Sequence, residues 1–230
     1  MAGSLVKENT VVVFKGRRDI LSNEYPCSIY YDNIWFNCVQ QAYQYEKARF
    51  HDYPELSIKI LKLKSCFEQA KCTQFIETTN EWLHSKRMYI MKQILTAKLE
   101  CVPEYKQLLL NSKGTVVNAA PNERFWSCGL SKADVFCKKA TEWLGQNVLG
   151  KLHMALRTEL HSERALIAAH EEHMLQYLHS EKHNVKSVVV DIGNVLVTVH
   201  AKNLQSAYHI TDRFAIPRKS VRVMIGSQCY

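Results

Sequence analysis

The residues best able to do chemistry fall in three stretches. Gln44 and Lys47 sit in a run from Val39 to Phe50 whose spacing predicts a helix. They stand three residues apart, so both face one side of it. An amide there can orient a polar ligand, and an ammonium can hold an anion. Trp126 lies in a predicted loop that ends at Gly129 and offers a plane on which a ring can stack. Asn147 opens a second predicted helix, where its side chain and the first free N–H groups suit an anion. The carboxylates close to these stretches are Asp19, Glu46 and Glu123.

Other chemistries find less support. Cys128 has no histidine at motif spacing to activate it, so a structural thiol is expected. None of the 8 cysteines forms a CxxC pair, which argues against a zinc ribbon, and no metal site is expected. His161, His170, His173, His179 and His183 lie on one helical stretch, but His170 and His173 are three apart, not the four of HExxH, and a solvated helix is expected. Asp191-Ile-Gly-Asn-Val resembles the nucleophile strand of haloacid-dehalogenase phosphatases. That strand needs a second acid where Gly193 stands, and too little chain follows for the fold.

These residues need elements to hold them. Val11–Phe14 and Thr115–Asn118 read as short strands, and Ile29 to Phe36 as a hairpin turning at Asp32-Asn33. After the helix at Val39–Phe50, which Pro54 ends or follows, short helices are expected over Leu56–Leu63 and Phe67–Ile76. A long amphipathic helix is expected over Asn80–Leu99, with Met88, Met91, Leu95 and Leu99 on its apolar side. Trp82, Met91 and Leu95 are expected in the core. Pro103 opens another helix through Leu110, stopped by Lys113-Gly114, and Pro121 to Gly129 reads as loop. Leu149–Leu178 reads as helix, with Leu152, Leu156, Leu160, Ile167, Met174 and Leu178 on its apolar face. Strand-like runs follow at Ser187–Val199 and Ser220–Ile225. The pattern changes from helix to strand at about 165–185 without an evident linker.

With 230 residues and 47% hydrophobic composition, the chain can build one large core, or a domain with a small appendage. Glycine and proline are scarce, so long disordered linkers are not expected. Met1–Thr10 carries no apolar h-region, and no apolar run is long enough to span a bilayer, so neither signal peptide nor membrane association is expected. Thiols without an export signal fit a reducing compartment, and the expected location is cytoplasmic or nuclear. The formal charge of +8 suits a phosphate, nucleotide or nucleic-acid partner without choosing among them.

Four segments in order resemble the NADAR (YbiA-like) family of N-glycosidase domains. The first is Leu21-Ser22-Asn23 with Tyr25-Pro26. The second is Trp35-Phe36, then Gln40 through Lys47. The third is Trp82 with Met91, Leu95 and Lys98. The fourth is Asn122 to Gly129, then Gly145-Gln-Asn147-Val-Leu-Gly150 and Met154 with Arg157. The resemblance leaves out Glu163 to Tyr230. It implies a helix-rich α+β domain over residues 11–162 with short strands around one polar pocket. Residues 163–230 would then be a helical and strand-containing extension of unknown role.

The resemblance also implies hydrolysis of an N-glycosidic bond, in ribosylated pyrimidine intermediates of riboflavin synthesis or in ADP-ribosyl groups, including ADP-ribose on a nucleobase. No cofactor is implied. Such a reaction passes through a cationic sugar and needs a carboxylate to offset that charge or activate water. Three family positions are altered here: the helix glutamate falls on Gln40, a second glutamate on Asn118, and a lysine on Gln146. An amide neither accepts a proton nor offsets a full charge. The catalytic candidates are therefore Glu123, which matches the acid before the aromatic-Trp pair, and Asp19, with Gln40 at the old carboxylate position. The binding candidates are Asn23, Gln44, Lys47, Asn118, Asn122, Trp126, Gly129 and Asn147. Three outcomes follow from the resemblance. The chain is an active N-glycosidase, or an impaired relative that still binds ADP-ribose- or NAD-type ligands, or a protein drawn by its charge to nucleic acid bearing ADP-ribose.

Overall fold

The computed structural model describes residues 11–180 and the strand segments 186–192, 195–201, 221–225 and 228–229; side-chain surroundings are described through residue 170. The chain divides into two units, Met1–His161 and Ser162–Tyr230.

In chain order the elements are β1 (Val11–Phe14), β2 (Ile29–Tyr31), β3 (Ile34–Phe36), α1 (Val39–Phe50), α2 (Pro54–Lys62), α3 (Cys66–Cys72), α4 (Arg87–Cys101), α5 (Pro103–Asn111), β4 (Thr115–Asn118), α6 (Lys132–Cys137), α7 (Val148–Ser180), β5 (Lys186–Ile192), β6 (Val195–Ala201), β7 (Val221–Ile225) and β8 (Gln228–Cys229). The architecture is helix-rich α+β, as the sequence implies.

β1 and β4 pair in parallel, with Val11 opposite Thr115 and Phe14 opposite Asn118. A parallel pair needs a long crossover. Here β2 through α5 supply it, and the loops that leave the ends of these two strands carry the site. β2 and β3 form the expected hairpin. Asp32 and Asn33 both take left-handed φ angles, 49° and 63°, as a tight type I′ turn requires.

Pro54 follows the first helix, one of the two places expected for it, and opens α2, where its missing N–H costs nothing. One expectation is corrected. The single helix expected over Asn80–Leu99 begins as a π-helical turn, Trp82–Lys86, and becomes α4 only at Arg87. α6 and a 3₁₀ turn at Ala140–Glu142 were not anticipated; both are shorter than the window in which periodicity can register.

α4 runs through the core of the first unit. Met91, Ile94 and Leu95 are fully buried, and Trp82 nearly so, whereas Met88 lies exposed. Burying side chains of this size contributes about 1.5–3 kcal/mol each. On α7, Leu156 and Leu160 are buried and Leu152 partly so, but Ile167 is exposed; the side chains of Met174 and Leu178 lie outside the described residues.

In the second unit the strands order β6-β5-β7-β8, all antiparallel. The run expected over Ser187–Val199 is thus two paired strands. Asp191 stands opposite Leu196 in that pairing. Among the described residues no helix is long and apolar enough to cross a membrane.

Candidate functional site

α1 presents the first wall. Cys38 caps it, its sulfur accepting from the Gln41 N–H at 3.4 Å. Residues 40, 43, 44 and 47 then recur at helical spacing on one side. Gln41, on another side, is a fastener. Its Oε1 accepts from the Asn37 N–H (2.8 Å), and its Nε2 donates to the carbonyls of Ile60, Leu61 and Leu63 at the end of α2.

The stripe divides in two. Gln44 is buried, and its Oε1 accepts from the Thr73 hydroxyl. Lys47 donates to the Thr73 carbonyl at 3.0 Å, and half-burial pushes its ammonium below the usual lysine range. Both expected binding residues therefore meet, but at the end of α3. Tyr43 faces the loops. The Tyr43 ring packs against Trp82 and Trp126, each at 5.6 Å. Gln40 is half-buried, and its N–H donates to the Asn23 carbonyl at 2.8 Å.

The segment ahead of Asn23 is held by buried side chains on three successive carbonyls. Lys98, fully buried on α4, donates to Ile20 O (2.6 Å) and Ser22 O (3.3 Å). His153, fully buried on α7, lies between Leu21 O (2.9 Å from Nε2) and the Tyr105 hydroxyl (2.8 Å from Nδ1). A carbonyl only accepts, so Nε2 carries the proton and Nδ1 accepts from Tyr105. Burial, and then the charge of Lys98, hold His153 down to about 3. Burial likewise lowers Lys98 to about 8, against the opposing pull of Cys27, Cys38 and Asp19. Asp19 accepts from the Leu21 N–H at 3.2 Å. It thus shapes this segment from its far end. The segment delivers Asn23, whose Nδ2 points at the Met91 sulfur (3.7 Å) and whose Oδ1 is buried with no partner among the described residues.

The second wall is the loop after β4. Glu123 folds back on it. Its Oε1 accepts from the Phe125 N–H (3.1 Å), and its Oε2 from the N–H groups of Trp126 and Ser127. Both oxygens of this catalytic candidate are thus engaged in shaping the loop. Asn118 Nδ2 donates to the Trp126 carbonyl at 3.4 Å. Asn147, expected to hold an anion, has its side chain committed to β4: Oδ1 accepts from Asn118 N (3.0 Å), and Nδ2 donates to Val116 O (2.9 Å). Its φ of +51° is a conformation asparagine tolerates.

The glycines of this stretch are there for closeness. A Cβ at Gly150 would run into the Val116 carbonyl oxygen, and one at Gly145 into that of Ser127. Gly129, at φ +75°, turns the chain away from the loop. Asn122 and Gln146 are exposed. Cys128 is fully buried, as a structural thiol should be.

Arg87 completes the cluster, and sequence reasoning missed it. Its guanidinium carbon lies 3.2 Å from the centroid of the Phe125 ring. Burial lowers its pKa, and Tyr43 and Glu123 are near enough to oppose the shift. Burial in turn raises the Tyr43 phenol, against Arg87 and the indoles of Trp82 and Trp126. The structure thus brings together Tyr43, Arg87, Phe125 and Trp126, and separately joins the Gln40 backbone to Asn23. Asp19, Asn118 and Asn147 shape the neighbouring segments, whereas Gln44 and Lys47 are engaged at the end of α3. A guanidinium on a patch of aromatic rings can hold a polar ligand that has a planar part and an anionic part.

Comparison with known proteins agrees with this architecture. The NADAR domain model matches residues 12–161. The protein irg-1 of Caenorhabditis elegans is 27% identical over 129 residues, covering 54% of this chain and 61% of that protein. N-glycosidase R617 of Acanthamoeba polyphaga mimivirus is 35% identical over 54 residues, covering 24% of this chain and 32% of that one. The chain therefore matches less than two-thirds of the length of either relative. The solution structure of the E. coli protein YbiA superposes with a TM-score of 0.55 at 24% identity, over 70% of this chain and 90% of YbiA, which is a likeness of fold. With the family model matching well over half of its length, the chain belongs to the NADAR domain family.

Proposed function

We propose that this domain binds a phosphorylated N-riboside, of the ribosylaminopyrimidine or ADP-ribosyl-nucleobase type, and hydrolyses its N-glycosidic bond slowly. Water adds at the anomeric carbon, the carbon–nitrogen bond breaks, and the base leaves with a proton. One observation supports this reading above the others: Arg87, Phe125, Trp126 and Tyr43 form one stacked patch, and α1, which carries Tyr43, also holds Asn23 through the Gln40 N–H. The rings suit the base and the amides suit sugar hydroxyls. No carboxylate side chain stands at residue 40, and those of Glu123 and Asp19 are bound to backbone N–H groups. Charge on the sugar is then offset poorly, and turnover is slow. The relative named an N-glycosidase supports the reaction class.

The test is release of free base from both substrate types by the wild-type protein and by Gln40→Glu. The expected result is slow release by the wild type and an increase on the order of 10²-fold in the variant. No release from either substrate by either protein refutes the reading.

A further inference from the structure

Two polar atoms beside the site are buried without a hydrogen-bond partner among the described residues: Asn23 Oδ1, an acceptor, and Arg87 Nε, a donor. Buried polar atoms are nearly always paired, and those that are not call for an explanation. Both lie along the first turns of α4. Arg87 and Met91 are one turn apart on α4, and the Asn23 amide rests against the Met91 sulfur at 3.7 Å.

Arg87 is also held ready. Its guanidinium is 3.2 Å from the Phe125 ring centroid, so the ring occupies one of its faces and leaves N–H groups at its edge for acceptors. Glu123, whose charge acts on Arg87, does not take them. Both its oxygens accept from the backbone N–H groups of residues 125–127, and Arg87 has no ion pair among the described residues. The positive charge is positioned, half-buried and unspent.

We propose that Arg87 binds the phosphate of the ligand through Nε and the edge of its guanidinium, and that Asn23 Oδ1 accepts from a hydroxyl of the attached sugar. A donor on α4 and an acceptor resting against the next turn of α4 together select a sugar phosphate over a bare anion or an unphosphorylated sugar. The choice of ligand class rests on the proposed function; the site itself rests on the two unpaired atoms and the ring stack.

The probe is ribose 5-phosphate, with ribose and inorganic phosphate as controls. The ¹⁵Nε–¹H resonance of Arg87, assigned by its loss in Arg87→Lys, is expected to shift on addition of ribose 5-phosphate and not of ribose. Arg87→Gln is expected to weaken ribose 5-phosphate binding roughly 10- to 100-fold. Arg87→Lys, which keeps charge but not the planar fork, is expected to fall between and carries the test should Arg87→Gln not fold. A resonance unmoved at millimolar ligand, wild-type affinity in a folded variant, or inorganic phosphate bound as tightly as ribose 5-phosphate overturns the proposal. Failure of the N-glycosidase reading looks different. A shifted Arg87 resonance with no base released leaves the anion site standing without the reaction. Base release that is indifferent to Arg87 leaves the reaction standing without the site.

Discussion

Replacing His153 with glutamine keeps two hydrogen bonds and removes one titration. In the folded chain His153 is fully buried, donating to Leu21 O and accepting from Tyr105. A glutamine amide has one donor end and one acceptor end and can serve both partners. The imidazole, however, is held down to about 3 when folded, against an ordinary value of 6.5. Below the ordinary value the unfolded chain takes up a proton that the folded chain refuses. The contribution of His153 is thus fully present above pH 6.5 and is lost as pH falls toward 3. Each unit of that window is worth about 1.4 kcal/mol. From pH 6.5 to 4.5 the wild type should lose roughly 2 kcal/mol through this group alone. Lys98, the charged neighbour, titrates near 8, so it stays protonated throughout this interval. Carboxylate titrations are common to both proteins and cancel in the difference. The assay is urea denaturation at pH 7.5, 6.5, 5.5 and 4.5. The two stability curves should run parallel above pH 6.5. Below it the wild type should fall more steeply, and the variant, less stable at neutral pH by the loss of the edge contact to Phe14, should catch up. Curves that stay parallel down to pH 4.5 would refute the account of the buried imidazole.

Other substitutions separate shape from chemistry. Glu123→Gln leaves a neutral acceptor for three backbone N–H groups and should cost about 1–3 kcal/mol of stability by chemical denaturation; unchanged stability with a collapsed kcat would instead make Glu123 an acid–base group. Trp126→Ala removes ring contacts to Tyr43 and Phe125 and should lower the melting temperature modestly while weakening ligand binding at least tenfold in a titration; loss of the fold with no route to binding data from Trp126→Phe would mark the ring as core. Gly150→Ala places a methyl group against the Val116 carbonyl and should destabilise by about 1–3 kcal/mol in the same denaturation assay; a neutral result would mean that α7 can shift away from β4.

The hairpin at Asp32-Asn33, the strand at Thr115–Asn118 and the starts of α5 and α7 were legible because each depends on a few adjacent residues. Turn residues, a proline and a short β-branched run act locally. The family's ordered segments likewise made Asn23, Gln40 and Trp126 candidates, and the altered residues at 40, 118 and 146 could be seen with no structure at all.

Arg87 could not be found in this way. Regular helical periodicity stacks Lys86 on Trp82, but the π turn sends the Arg87 N–H to the Trp82 carbonyl and brings the next residue round instead. One extra residue per turn leaves no compositional trace. Nor could the sequence separate ligand-facing amides from fasteners. Gln44, Asn118, Glu123 and Asn147 have the chemistry of binding residues, and each is engaged by a partner elsewhere in the fold: Thr73, Trp126, the 125–127 N–H groups and β4. Residue type and spacing determined what the side chains were able to do. Which of them are free to do it was decided by hydrogen bonds between segments far apart in the chain, because a polar group buried by folding must first satisfy the backbone around it.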